Sequence, residues 1–122
     1  MTALPVSMPV AIIGAGTMGA GIAQVAAEAG HPVLLYDMAD GAAEGGRNRI
    51  ETGLVKLVER GKRTDKERAD VMGRITATDR LDALSPAGLA IEAIVEDQAV
   101  KTEVFRQLES LLSDEAILSS NT

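Results

Sequence analysis

Gly14, Gly16 and Gly19, in the spacing GxGxxG, follow an apolar run, Val10-Ala11-Ile12-Ile13, and open an alanine-rich helical pattern. Asp37 ends the next apolar run, 18 positions past Gly19. Residues of these types in this order can grip a diphosphate that carries a ribose. Gly14 permits the tight strand-to-helix turn, Gly16 lets the backbone approach a pyrophosphate with no Cβ in the way, and Gly19 lets the helix pack close on the sheet. The anion then sits on a helix N-terminus, where unpaired N–H groups and the positive end of the helix dipole favour negative charge. The whole turn Gly14-Ala15-Gly16-Thr17-Met18-Gly19 is therefore the expected cofactor-binding segment. A carboxylate at Asp37 accepts hydrogen bonds from both ribose hydroxyls of an adenosine and repels a 2′-phosphate. No Arg or Lys follows Asp37 before Arg47, so the sequence points to NAD rather than NADP. A glycine-rich turn in a protein that binds no nucleotide would explain the glycines but not Asp37.

The elements that must position these groups can be read from the pattern of the chain. A first strand over about Pro9–Ile13 is apolar on both faces, as a central parallel strand covered by helices should be. Thr17–Ala29 reads as a helix with small residues where it approaches a sheet, closed by Gly30. Pro32–Tyr36 makes the second strand, which ends at Asp37 and completes a β-α-β unit. Ala39–Arg60 is helical in pattern, with Ile50, Leu54, Leu57 and Val58 at helical spacing and Gly45-Gly46 weakening its start. Thr64 and Glu67 are spaced as a capping box that opens a further helix reaching about Arg74. This pair of helices is a longer crossover than the fold requires, an excursion expected to project from the sheet as a candidate binding element. Ile75–Thr78 is a short third strand, Ser85-Pro86-Ala87 a turn or single helical turn, and Leu89–Val95 a fourth strand interrupted by Glu92. An amphipathic helix from Asp97 or Gln98 carries Val100, Val104, Leu108, Leu111 and Leu112 on one face, and Ala116–Ser119 makes a fifth strand. The expected fold is α/β, a doubly wound parallel sheet of the Rossmann type, ending after about five strands.

The 122 residues suit one domain, and an apolar content of 46% is enough for an ordinary core. A net charge of −6 argues against nucleic-acid or anionic-membrane partners, which call for a basic patch. With no cysteine and one histidine there is no thiolate or multi-histidine metal site, and the lack of cysteine suits the cytoplasm. No apolar run reaches the length of a membrane span, and Met1–Pro9 has no signal-peptide pattern. His31 falls at the amino end of its strand, the wrong end of the sheet for catalysis, and reads as structural.

Three segments, Ile12–Gln24, Ile91-Glu92-Ala93-Ile94-Val95-Glu96 and Ser119-Ser120-Asn121-Thr122, resemble in order the opening domain of the 3-hydroxyacyl-CoA dehydrogenases, in particular the bacterial 3-hydroxybutyryl-CoA and 3-hydroxyadipyl-CoA type. The resemblance implies NAD-dependent oxidation of an L-3-hydroxyacyl-CoA to the 3-ketoacyl-CoA in fatty-acid or phenylacetate-type metabolism, by an enzyme expected to be a homodimer. It implies that Glu96 and Lys101 lie beside the nicotinamide end of the cofactor; the alternative for Glu96 is a charged residue just after a buried strand, and for Lys101 a solvated helix face. It implies further that Lys56 and Arg60, four apart on one helix face, meet the phosphates of coenzyme A, the alternative again being an ordinary solvated face. Gly53 departs from relatives that carry a CoA-binding serine there.

The family's catalytic serine, histidine–glutamate pair and asparagine find no match in this sequence. The expectation is accordingly a cofactor domain without the sixth strand and the C-terminal helical domain, inactive alone, with its fifth strand an open edge. A non-catalytic NAD-sensing module and the cofactor domain of a 3-hydroxyisobutyrate-type dehydrogenase are the alternatives. Acyl-chain selectivity has no residue here to argue from.

Overall fold

Four consecutive residues, Val10 to Ile13, are all buried, and they form the strand on which the rest is built. The computed structural model describes residues 7–94, 98–113 and 116–120. Its elements run β1 (Val10–Ile13), α1 (Thr17–Glu28), β2 (Val33–Tyr36), α2 (Ala42–Glu59), α3 (Asp65–Gly73), β3 (Ile75–Thr78), a 3-10 turn (Leu81–Leu84), β4 (Leu89–Glu92), α4 (Gln98–Leu111) and β5 (Ile117–Ser120). The strands form one parallel sheet in the order β3-β2-β1-β4-β5. That order reverses direction between β1 and β4, which is the switch point where open α/β sheets hold their ligands.

Alternation along the strands divides the core into two layers. Val10, Ile12, Val33, Leu35 and Ile75 pack under α1, α2 and α3, while Ala11, Ile13, Tyr36 and Ala90 pack under α4 and Leu84 of the 3-10 turn. The helical excursion does not project as expected. Ile50 and Leu54 of α2 and Val71 and Met72 of α3 are buried in the same cluster as the strands, because apolar side chains at helical spacing draw both helices down onto the sheet. The capping box is present, with Glu67 N–H donating to Thr64 Oγ1 at 3.1 Å and Thr64 N–H to Glu67 Oε1 at 2.8 Å. Three boundaries differ from the sequence reading by more than one residue: α2 begins at Ala42, after Gly41 turns the chain with φ 76, β4 ends at Glu92, and the single helical turn falls at Leu81–Leu84 instead of Ser85–Ala87. Val95 lies outside the described residues.

The pair Gly45-Gly46, a weakness when α2 is viewed alone, has a tertiary reason in its second member. A Cβ on Gly46 would stand 2.8 Å from the Ala15 carbonyl oxygen, whereas one on Gly45 would meet only Arg49 Nη1, at 3.9 Å. Gly45→Ala should therefore stabilise the protein by up to about 1 kcal/mol through helix propensity. Gly46→Ala should destabilise it by about 1–3 kcal/mol through overpacking, a difference of sign that urea unfolding curves of the two variants check directly.

Candidate functional site

The parallel register brings one residue from every strand into a single row at the carboxyl end of the sheet: Thr78, Tyr36, Ile13, Glu92 and Ser120. The groups that could meet a ligand lie just beyond this row, where β1 turns into α1. Gly14 leaves β1 with φ 110, a conformation open to glycine, and its N–H donates to Tyr36 O at 2.8 Å. Gly16 is the N-cap of α1; no side chain caps this helix, and its first turn carries no acidic residue. A Cβ on Gly16 would meet nothing within 4 Å, so this glycine keeps open space at the helix end, as a diphosphate cradle requires. Gly19 brings the start of α1 close to the end of β1. The nearest atom to a Cβ there is the Gly14 carbonyl oxygen at 1.7 Å, and the β1 side chain Ile12 is 3.6 Å away, so the tightest restriction comes from the turn at the end of the strand.

Asp37 stands at the end of β2 with both oxygens engaged on backbone. Its Oδ2 accepts from Ala15 N–H at 2.8 Å and its Oδ1 from Ala39 N–H at 2.9 Å. An ionised carboxylate offers about four lone-pair sites, so each oxygen retains capacity for a hydroxyl. Arg47, the first cation after Asp37, is drawn to the other end of the sheet, donating to Ile75 O at 2.9 Å and Met72 O at 2.8 Å. Arg49, which the sequence reading passed over, donates to Ala15 O at 2.5 Å. Ala15 is thus held at its N–H by the residue that follows β2 and at its carbonyl by α2, which fixes the two peptide units on either side of its Cα. No local signal marks Arg49, because the approach of α2 to the turn depends on Gly46 and the tertiary packing.

Across the switch point, Glu92 and Lys101 are the buried charged residues among those described, at 1% and 8% exposure. Their Nζ and Oε1 atoms are 3.9 Å apart, and Glu92 Oε2 also accepts from Ile94 N–H. Lys101 is therefore not on a solvated face; it continues the core stripe of Val104, Leu108 and Leu112 into the first turn of α4. The signal for Glu92 is in the sequence: a carboxylate inside an apolar strand does more than interrupt it, because burial requires a partner for the charge. Glu96 falls outside the described residues. Lys56 and Arg60 are exposed, Lys56 in a groove lined also by Asn48, Glu51, Thr52, Val55 and Glu59, and Arg60 as the C-cap of α2.

Two candidate proton acceptors can be placed. His31 is at the amino end of β2, its Nδ1 3.1 Å from Met8 O. Burial, with the carboxylates of Asp37 and Asp79 adding to it, pushes the Tyr36 phenol above its ordinary value, so it keeps its proton at neutral pH.

The profile of the family described as "3-hydroxyacyl-CoA dehydrogenase, NAD binding domain" matches residues 9–122. A 3-hydroxybutyryl-CoA dehydrogenase of Mycobacterium tuberculosis is 46% identical over 114 residues, covering 93% of this chain and 40% of the relative. A probable 3-hydroxybutyryl-CoA dehydrogenase of Bacillus subtilis is 44% identical over 111 residues, covering 91% of the chain and 39% of the relative. The crystal structure of the 3-hydroxybutyryl-CoA dehydrogenase of Escherichia coli superposes with TM-score 0.90 at 41% identity, over 98% of this chain and 25% of that one. The chain thus spans about two fifths of the length of the curated relatives it matches.

Because the space at Gly16 is open, Gly16→Ala should leave urea stability within about 1 kcal/mol of the parent, the usual range for a change at an N-cap. Its NAD affinity, measured by calorimetry, should fall at least about tenfold, or 1.4 kcal/mol. Undiminished affinity would remove Gly16 from the cradle.

Proposed function

We propose, since this chain belongs to the NAD-binding domain family of the 3-hydroxyacyl-CoA dehydrogenases, that it forms the cofactor-holding part of an enzyme interconverting an L-3-hydroxyacyl-CoA and the 3-ketoacyl-CoA. The observation that carries this reading is Asp37, placed by Ala15 N–H at the mouth of a glycine turn whose helix has no side-chain cap. NAD, when bound, accepts hydride from C3 of the hydroxyacyl group. The residues of this chain bind and orient. The Gly14–Gly19 turn, with Ala15, Gly16, Thr17 and Met18, holds the diphosphate on the N-terminus of α1. Asp37 takes the hydroxyls of the adenosine ribose, and Glu96 and Lys101 stand on the nicotinamide side.

Lys56 and Arg60 take the phosphates of coenzyme A. Lys56 lies ten residues beyond Gly46, the point where α2 meets the glycine turn, which is about 15 Å along a helix axis. That separation suits a substrate whose anionic head is held away from its reacting acyl end by a long arm. On this reading the proton acceptor, the acyl pocket and the homodimer contacts belong to the part of the relatives that this chain does not match. The setting is fatty-acid or phenylacetate-type acyl-CoA metabolism in the cytoplasm, which the absence of cysteine suits. Among the described residues no helix is long and apolar enough to cross a membrane.

Calorimetric titration of this chain should give saturable binding of NAD and weaker binding of NADP, with no turnover of acetoacetyl-CoA and NADH. Asp37→Asn removes the charge and should lower NAD affinity about tenfold or more, the worth of a charged hydrogen bond. It should also narrow the gap to NADP by relieving repulsion of the 2′-phosphate. Absence of NAD binding, or turnover by the chain alone, would overturn the proposed division of labour.

A further inference from the structure

Two placements in the β4–α4 region work against stability. Glu92 occupies a row between Ile13 and Ser120, on the sheet face whose neighbours are Ile13, Tyr36 and Ala90, and it is 1% exposed. Lys101 is the fourth residue of α4 and 8% exposed, so a cation sits in the first turn, where the helix dipole is positive. A buried ion pair is commonly no more stabilising than an apolar pair of similar volume, and these strands and helices are otherwise filled with Ala, Val, Ile and Leu. An apolar pair would serve the fold as well, so the charges call for another reason.

Their location supplies one. Glu92 is in register with Ile13, the residue before the glycine turn, and Ala93, which follows it, donates its N–H to Ile13 O at 2.8 Å. The carbonyl of Ala93 is also what a Cβ on Gly14 would meet, at 3.1 Å. Asp37 lies on the β2 side of the turn and Glu92 on the β4 side. A dinucleotide laid across the switch point therefore has its adenosine half toward Asp37 and its other half toward β4. The separation of 3.9 Å between Lys101 Nζ and Glu92 Oε1 is within ion-pair range but too long for a hydrogen bond, so Glu92 draws the ammonium in without saturating it.

We propose that Glu92 is a positioning residue: its buried carboxylate, at the switch point between β1 and β4, holds the Lys101 ammonium where the nicotinamide half of the dinucleotide lies. The proposal rests on the NAD-binding reading above and adds to it a role for Glu92, which acts through Lys101.

The test compares NAD with AMP, which lacks the nicotinamide half, by calorimetry on this chain. Glu92→Gln keeps an oxygen for Ile94 N–H and removes the charge. It should weaken NAD about five- to tenfold and leave AMP within about twofold, the scale of one misplaced charged contact. Lys101→Met should give the same pattern, and Lys101→Arg, which keeps the charge, should restore most of the NAD affinity. The double variant Glu92→Gln with Lys101→Met should bind NAD no worse than Lys101→Met alone, because residues acting as a unit are not additive. Equal losses for NAD and AMP would make the role structural and overturn the proposal, as would additive losses. Should Glu92→Gln fail to fold, Glu92→Asp keeps the charge but draws the carboxylate back by one methylene, and the same NAD-specific loss is expected. A parent chain that binds AMP and not NAD overturns the positioning role; one that binds neither overturns the NAD-binding reading itself.

Discussion

The carbonyl oxygen of Gly14 occupies the place where a side chain of residue 19 would begin, 1.7 Å from an ideal Cβ. This contact fixes the start of α1 against the end of β1, and the geometry of the crevice follows from it. With the turn closed, the positive end of α1 faces the carboxyl edge of the sheet, and Ala15 is presented to its neighbours. Asp37 holds its N–H at 2.8 Å, Arg49 holds its carbonyl at 2.5 Å, and Gly46 leaves room for α2 to reach both. The end of β2 and α2 thus converge on one residue between β1 and α1. A site held from several directions before its ligand arrives loses little freedom on binding, which favours affinity.

A parallel sheet covered on both faces tolerates charge poorly along its strands and readily only where the strands end. The molecule uses its two ends differently. At the amino end the charged groups serve as staples: Arg47 on Ile75 O and Met72 O, Arg74 on Ala27 O, and Arg63 paired with Glu28. At the carboxyl end the charges flank the glycine turn and differ from side to side. A carboxylate stands on the β2 side of the glycine turn and a carboxylate–ammonium pair on the β4 side. That asymmetry suits a ligand whose two halves differ in chemistry.

Much of this was legible in the sequence because it is local. The strands are short apolar runs, the helices carry their own periodicity and α3 its capping box, and the glycine turn with Asp37 is a pattern of adjacent elements. What was not legible depends on neighbours. Leu89–Val95 reads as one strand because its apolar run continues, but the ladder stops at Glu92 because its partner β1 turns off after Ile13. The turn expected at Ser85–Ala87 formed at Leu81–Leu84, where Leu84 is fully buried beneath α4. Lys101 looked equally suited to solvent until α4 was docked with Val104 and Leu108 inward, which carried the first turn inward with them. Arg49 had no signal at all, since nothing local to α2 says which atom of the turn it will meet.

Arg49 also bears on cofactor choice. Distance in sequence suggested that the first cations after Asp37 were too remote to neutralise it, and the structure supplies a better reason. Arg47 has Nε and Nη2 committed to carbonyls at the start of β3 and the end of α3. Arg49 is close to the turn, but its Nη2 is spent on the Ala15 carbonyl, and no ion pair to Asp37 forms. Asp37 itself is oriented by N–H groups of Ala15 and Ala39, neutral donors that fix its direction and leave its charge in place. A carboxylate oriented in this way favours ribose hydroxyls over a 2′-phosphate. That preference depends on where α2 draws its arginines, and α2 is positioned by the absence of a side chain at Gly46.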